Sequence, residues 1–60
     1  MRVMSIMLLI RNLPIGEMVQ FNPADESYAR GACRVIGGRT GRTFEIRIVP
    51  GGIVEIKRKR

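Results

Sequence analysis

Apolar and polar residues alternate through the last third of the chain, in two runs on either side of the Pro-Gly-Gly sequence at residues 50–52. Alternation of this kind is typical of a β-strand with one buried face. A three-residue loop with proline first and glycine after it predicts a hairpin in which Val49 lies opposite Ile53. A slip of one residue would turn half of the side chains to the wrong face, so the pattern selects this register. The other predicted pairs are Ile48 with Val54, Arg47 with Glu55, Ile46 with Ile56, Glu45 with Lys57, and Phe44 with Arg58.

A helix is predicted from residue 22 onwards, because the signals for both of its ends are present. Asn22 suits the N-cap, Pro23 suits the first helical position, and the glycines at residues 37–38 suit a left-handed C-terminal cap. Gly31 falls at the edge of the apolar arc of this helix, which predicts close approach to the sheet. Cys33 falls near the polar boundary and is expected to be buried as a small apolar residue. The predicted inward face carries Tyr28, Ala29, Ala32, Val35 and Ile36.

The first part of the chain gives weaker signals. Residues 17–21 are predicted to form a short third strand beside the hairpin, with alternate side chains inward. The apolar run that starts at Val3 and ends at Ile10 has no period, and a strand or extended segment is expected there. Residues 11–16 contain proline and glycine and predict a turn.

These elements predict an α+β fold of order βαββ, in which one helix packs on one face of a three-stranded antiparallel sheet, with an additional N-terminal strand or arm. A chain of 60 residues predicts one domain, with residues 1–12 as the arm and residues 13–60 as the core. So short a chain buries only about 60% of the surface that it exposes when unfolded, and self-association is a common support. The predicted core consists of Phe21, Tyr28, Ala32, Val35, Ile36, Phe44, Ile46, Ile48, Val54 and Ile56.

Positive charge is concentrated in the second half of the chain. Residues 1–29 contain two basic and three acidic residues, 2 − 3 = −1, whereas residues 30–60 contain nine basic and two acidic residues, 9 − 2 = +7. Most of the basic residues are arginine, the side chain that binds phosphate in a bidentate manner. A polyanionic partner is therefore expected, although a solvated basic surface is the alternative.

Catalytic and metal chemistry are not expected. One cysteine and no histidine exclude an internal disulfide and a zinc site built by this chain, and no cofactor motif is present. Glu45 and Glu55 each have a basic partner in the predicted register, so they are expected to be structural pairs and not an acid–base pair. Residues 37–42, GGRTGR, lack the order of a phosphate-binding loop and follow a helix instead of preceding one. They are expected to form a flexible basic loop whose arginines reach a polyanion, with a plain connection between helix and hairpin as the alternative.

The favoured function is a small nucleic-acid-binding module for duplex DNA, with the hairpin in or across a groove and the loop and C-terminal tail on phosphates. Duplex DNA is preferred over single strands or RNA because the three aromatic residues are all predicted to face inward and leave no stacking surface. The predicted contact residues are Arg30, Arg34, Arg39, Arg42, Arg47, Lys57, Arg58, Lys59 and Arg60.

A protein-interaction module is the alternative function. It would bind an acidic host protein, or would form a homo-oligomer through residues 3–10 if that run is exposed. No membrane partner is expected, because the run is shorter than the ~20 apolar residues of a span and has no signal-peptide cleavage site after it.

Two motifs resemble a group of small basic proteins found in phage genomes. They are L-x-x-G-E-x-x-x-F at residues 13–21 and T-G-R-x-F-x-x-R-x-V-x-G-G at residues 40–52. The apolar N-terminal run and the proline of the turn depart from that pattern. The resemblance implies expression in a bacterial cytoplasm from a phage or prophage, and it assigns no activity. Together with DNA binding, it would make the protein a phage regulator.

Overall fold

The computed structural model describes the backbone of residues 2–60 and the side chains of residues 6–60. The three strands form one antiparallel sheet in the order β1-β3-β2, which confirms the predicted α+β class and the βαββ core. In chain order the elements are helix α1 (Arg2–Arg11), strand β1 (Met18–Phe21), a 3-10 turn (Pro23–Asp25), helix α2 (Glu26–Thr40), strand β2 (Phe44–Val49) and strand β3 (Ile53–Arg58).

The hairpin of β2 and β3 has the predicted register at all six of its residue pairs, from Val49 opposite Ile53 to Phe44 opposite Arg58. The main-chain N–H of Gly52 donates to the carbonyl oxygen of Val49 at 3.0 Å and closes the turn. Gly51 and Gly52 have φ of 91° and 81°, a region that L side chains rarely adopt. Local alternation and turn chemistry thus set this part of the fold.

The N-terminal segment is a helix, so the prediction of a strand or arm there is wrong. Ile6 and Ile10 lie one turn apart in α1 and both belong to the buried core, with Ile10 0% exposed. An apolar run without a period fits a strand or a helix equally well, and contact with the rest of the fold decides between them. A helix brings Ile6 and Ile10 to the same face, where α1 packs beside α2. The helical layer therefore holds two helices.

Helix α2 ends later than its glycines suggested. Gly37 and Gly38 lie inside the helix, and Gly41, with φ of 73°, forms the left-handed cap and donates its N–H to the carbonyl oxygen of Gly37 at 2.9 Å. Three glycines could each supply a left-handed cap, and the chain uses the third. Most of the predicted loop at residues 37–42 is consequently helical, which corrects the prediction of a flexible basic loop.

The buried face of α2 is rotated from the predicted one. Tyr28 and Val35 are 37% and 46% exposed, so their prediction as core residues is wrong, whereas Ala29 and Cys33 are buried. The prediction treated α2 as the only helix on the sheet. Since α1 shares the layer, α2 turns its smallest side chains to its neighbours.

The rest of the predicted core is largely confirmed. Ile48, on the edge strand β2, is 47% exposed and was wrongly assigned to the core. An edge strand has a neighbour on one side only, so a side chain near its end can remain in contact with solvent. Phe44 and Ile46 are partly buried against the core. The predicted core residues that are buried are Phe21, Ala32, Ile36, Val54 and Ile56.

Cys33 is buried, as predicted. Burial disfavours the charged thiolate and raises the pKa of this thiol to about 11. The thiol stays protonated near neutral pH, which makes it a packing residue and a poor nucleophile.

Gly31 does not approach the sheet, in contrast to the prediction. A Cβ added there would meet nothing within 4 Å, whereas a Cβ at Gly37 would lie 3.0 Å from the carbonyl oxygen of Arg42. We therefore expect Gly31→Ala to raise the free energy of unfolding by about 0.5–1 kcal/mol, because alanine restricts the unfolded chain and favours the helix. Gly37→Ala is the matched control and should give no such gain. Urea denaturation of both variants tests this, and an equal gain in both would contradict the packing difference.

Candidate nucleic-acid interface

The two helices and β3 end at the same end of the molecule. The guanidinium of Arg42 donates to the main-chain oxygen of Arg11, and Nη1 of Arg58 donates to that of Leu13 at 3.1 Å. The start of β2 and the end of β3 therefore both lie beside the C-terminal end of α1. The main-chain N–H of Lys59 donates to the carbonyl oxygen of Thr43 at 2.8 Å, which holds the last residues of the chain next to the end of α2.

Six cationic residues meet at this end, and we call this group the basic pole. Arg11 and Arg39 line one cleft of about 350 Å³ between the C-terminal turns of α1 and α2. Helix C-termini carry partial negative charge, so cations near them are stabilised. The basic pole consists of Arg11, Arg39, Arg42, Arg58, Lys59 and Arg60.

Two members of the basic pole also have a structural role. Arg42 and Arg58 are half-buried, and each donates to a carbonyl oxygen at or just beyond the end of α1. Carbonyl groups at helix C-termini lack a partner within the helix, so these arginines supply one. Nε of Arg58 also donates to the main-chain oxygen of Arg60 at 3.1 Å. The remaining four cationic side chains of the pole are exposed.

Few carboxylates oppose the basic pole. Nζ of Lys59 lies 3.5 Å from Oε1 of Glu45, and within residues 6–60 this is the one ion pair that a member of the pole makes. Both side chains are about half exposed, so the pair is weak. Glu17 lies at the same end, where its carbonyl oxygen accepts from the N–H of Arg58 at 3.1 Å. With Glu17 and Glu45 counted, the side chains at the pole still sum to 6 − 2 = +4.

The structure separates the nine predicted contact residues into three groups. Five belong to the basic pole. Arg30 and Arg34 lie on the outer face of α2, where Nε of Arg30 pairs with Oε2 of Glu26 at 2.9 Å. Arg47 and Lys57 lie on the open face of the sheet, which also carries Glu45 and Glu55.

Charges on that open face are mixed in sign, and their contacts differ in part from the predicted pairs. Arg47 lies opposite Glu55 as predicted, but the Glu55 carboxylate accepts a hydrogen bond from Nε2 of Gln20 at 2.8 Å. Lys57 lies opposite Glu45, whose carboxylate instead contacts Lys59 on the same face. Such a surface is a poorer polyanion site than the pole.

Arg11 was missed by the sequence analysis because it was placed in a turn. Its position at the end of an apolar run was the available signal: a basic residue in the last turn is typical of a helix C-terminus. That signal has meaning only if the run is a helix.

Duplex DNA was preferred because all three aromatic residues were predicted to face inward, and the exposure of Tyr28 shows that this is wrong for one of them. Phe21 is buried and Phe44 is partly buried, but Tyr28 is accessible near the start of α2. The basic pole lies at the other end of that helix. One aromatic side chain so far from the cations does not form a stacking surface with them.

No protein family, curated protein or solved structure matches the chain. The likeness to phage proteins and the bacterial origin it implies stay predictions from the motifs. No helix within residues 2–60 has the length and apolar character needed to cross a membrane. Among the same residues, no three histidine, cysteine or acidic side chains lie together in a way that would hold a metal ion.

Proposed function

We propose that the protein binds duplex DNA through the basic pole, by contacts with phosphates. The observation that carries this proposal is the convergence of six cationic side chains from the ends of α1, α2 and β3, with a single ion pair to a carboxylate in the described part of the chain. Arginine and lysine contacts to phosphate account for most of the affinity of proteins for DNA and do not depend on base sequence.

The hairpin was expected to lie in or across a groove of DNA, but its turn lies far from the basic pole. Residues 50–52 are uncharged and lie at the end of the strands opposite the pole. We therefore propose that the open ends of the strands face the phosphates, instead of the turn entering a groove. The contacts of Arg42 and Arg58 with main-chain oxygens support this arrangement, because they hold two guanidinium groups in place before DNA arrives.

Fluorescence anisotropy with a labelled duplex at several salt concentrations tests the proposal. If all six cations of the pole neutralise phosphates, log affinity should fall with log salt at a slope of about −5.4, whereas a slope of about −3.6 would mean that only the four exposed ones do. Arg39→Gln should weaken binding and make the slope less steep by about 0.9. Arg30→Gln is the matched control, since Arg30 pairs with Glu26 on another face, and its slope should equal that of the wild type.

Three results would count against the proposal. Binding that does not change with salt would exclude phosphate neutralisation. Equal effects of Arg39→Gln and Arg30→Gln would mean that the pole has no special role. Tighter binding to polyglutamate than to a duplex of the same total charge would indicate an acidic protein as the partner, which is the alternative function. Parallel titrations with single-stranded DNA and RNA decide whether the duplex is preferred.

A further inference from the structure

On one side of the molecule, the edge of the helical layer and the edge of the sheet are both apolar. In the helical layer, Leu8 and Leu9 of α1 are 49% and 51% exposed. Met18 is 50% exposed, and Leu8, Leu9 and Met18 line a common cleft between α1 and β1. Ile15, which follows the cleft residue Pro14 in the chain, is 62% exposed. We call these four residues the apolar flank. Large apolar side chains grouped in this way mark a surface that another molecule covers.

On the same side, the edge strand of the sheet lacks side chains that would prevent pairing with another chain. Strand β1 is at the edge of the sheet, and its sequence MVQF contains no charge and no proline. The other edge strand, β2, carries Glu45 and Arg47. Exposed edge strands normally carry charges, prolines or bulges that prevent pairing with another chain. β1 has none of these.

The free hydrogen-bonding groups of β1 can be identified from its register with β3. The N–H of Arg58 donates to the carbonyl oxygen of Glu17 at 3.1 Å, so the C=O of Glu17 points towards β3, whereas its N–H donates to the carbonyl oxygen of Pro14. Main-chain groups alternate in direction along an antiparallel strand, so the N–H and C=O of Val19, two residues later, point towards β3. The N–H and C=O of Met18 and Gln20 therefore point away from the sheet, where another strand can pair with them.

We propose that the apolar flank and β1 form the interface of a homodimer. A two-fold axis at Val19 pairs the two β1 strands antiparallel, with Met18 of one copy opposite Gln20 of the other, and completes four main-chain hydrogen bonds. The sheet becomes six-stranded. On its covered face, α1 of one copy packs against α1 of the other through Leu8 and Leu9.

The distribution of charge identifies a second copy as the occupant. The four flank residues and all of β1 are uncharged in a chain with 27% charged residues, and depletion of charge is typical of an interface core. A basic or acidic partner would find no complementary group there. Each copy carries +6, so two copies repel unless their cations are kept apart. Antiparallel pairing of β1 does this, since it sends the two basic poles to opposite ends of the dimer.

Light scattering during size-exclusion chromatography of the full chain tests the dimer. We expect about twice the chain mass of 6.8 kDa for the wild type. Leu9→Glu should halve the mass, because it places a carboxylate in the apolar contact between the two α1 helices, and Leu9 is 51% exposed, so the fold of each copy stays intact. Ile48→Glu is the control: Ile48 is similarly exposed, on the opposite edge strand, and its substitution should leave a dimer. A monomeric wild type at micromolar concentrations would overturn the proposal, as would a dimeric Leu9→Glu variant.

Oxidative cross-linking tests the register without relying on a destabilised variant. In the proposed pairing, residues 18 and 20 of the two copies form hydrogen-bonded pairs about 5.5 Å apart at Cα, which a disulfide can span. The double variant Met18→Cys/Gln20→Cys should therefore become a covalent dimer under mild oxidation. Glu45→Cys/Arg47→Cys, with the same spacing on β2, should remain uncross-linked. Equal cross-linking of the two variants, or none in the first, would overturn this interface. Either result leaves the proposal of DNA binding intact, because the basic pole does not need the dimer in order to bind phosphates.

Discussion

Ile10→Ala should lower the free energy of unfolding by about 2–5 kcal/mol, the range measured for removal of a buried aliphatic side chain. Ile10 is 0% exposed and belongs to the core, so its loss leaves a cavity between α1 and the rest of the fold. A core of this size rarely supplies more than about 3–5 kcal/mol in total. Much of the variant should therefore be unfolded at room temperature, as measured by circular dichroism and urea denaturation.

The control for this variant is Ile48→Ala. It makes the same chemical change at a residue that is 47% exposed on the edge strand β2, and it should cost well under half as much. If Ile10→Ala were no more harmful than Ile48→Ala, α1 would not contribute to the core of the fold.

Ala29→Leu should be the second most damaging substitution. Ala29 is 0% exposed on the inward face of α2, and three additional carbon atoms there would push the helix away from its neighbours. Overpacking of this kind typically costs about 1–3 kcal/mol. The measurement is the midpoint of urea denaturation.

Ala24→Leu is the matched change, because Ala24 is exposed in the 3-10 turn before α2. Its midpoint should differ little from that of the wild type. If both variants shifted the midpoint equally, the inward face of α2 would not be the one that carries Ala29. Ala29 was expected on the inward face but outside the core, whereas Tyr28 and Val35 were expected inside it, so a large cost at Ala29 would also support the observed rotation of α2.

The hairpin could be predicted in detail because its information is local. The turn at residues 50–52 and the alternation on either side of it fix which residues lie opposite one another, and all six residue pairs agree with the structure. Strand β1 was also predictable: Val19 and Phe21 point inward and Met18 and Gln20 outward, as their alternation indicates. Short-range patterns of this kind need no knowledge of the rest of the fold.

The basic pole could be predicted only in part. Five of its residues were recognised as cations near the end of α2 and at the C-terminus, but nothing in their spacing distinguished them from Arg30, Arg34, Arg47 and Lys57. The contacts that separate these groups join residues far apart in the chain, such as Arg42 with Arg11 and Arg58 with Leu13. Arg11 in particular enters the pole only because α1 is a helix that ends beside β2.

Local sequence patterns were enough to predict the strand pairs of the hairpin, the helix between the strands and the excess of positive charge in the second half of the chain. Contacts between distant segments set the helical conformation of the N-terminal run, the buried face of α2 and the group of cations at the pole. The physical reason is that an apolar run without a period satisfies several local conformations about equally. The run adopts the conformation that buries the most apolar surface against the rest of the chain.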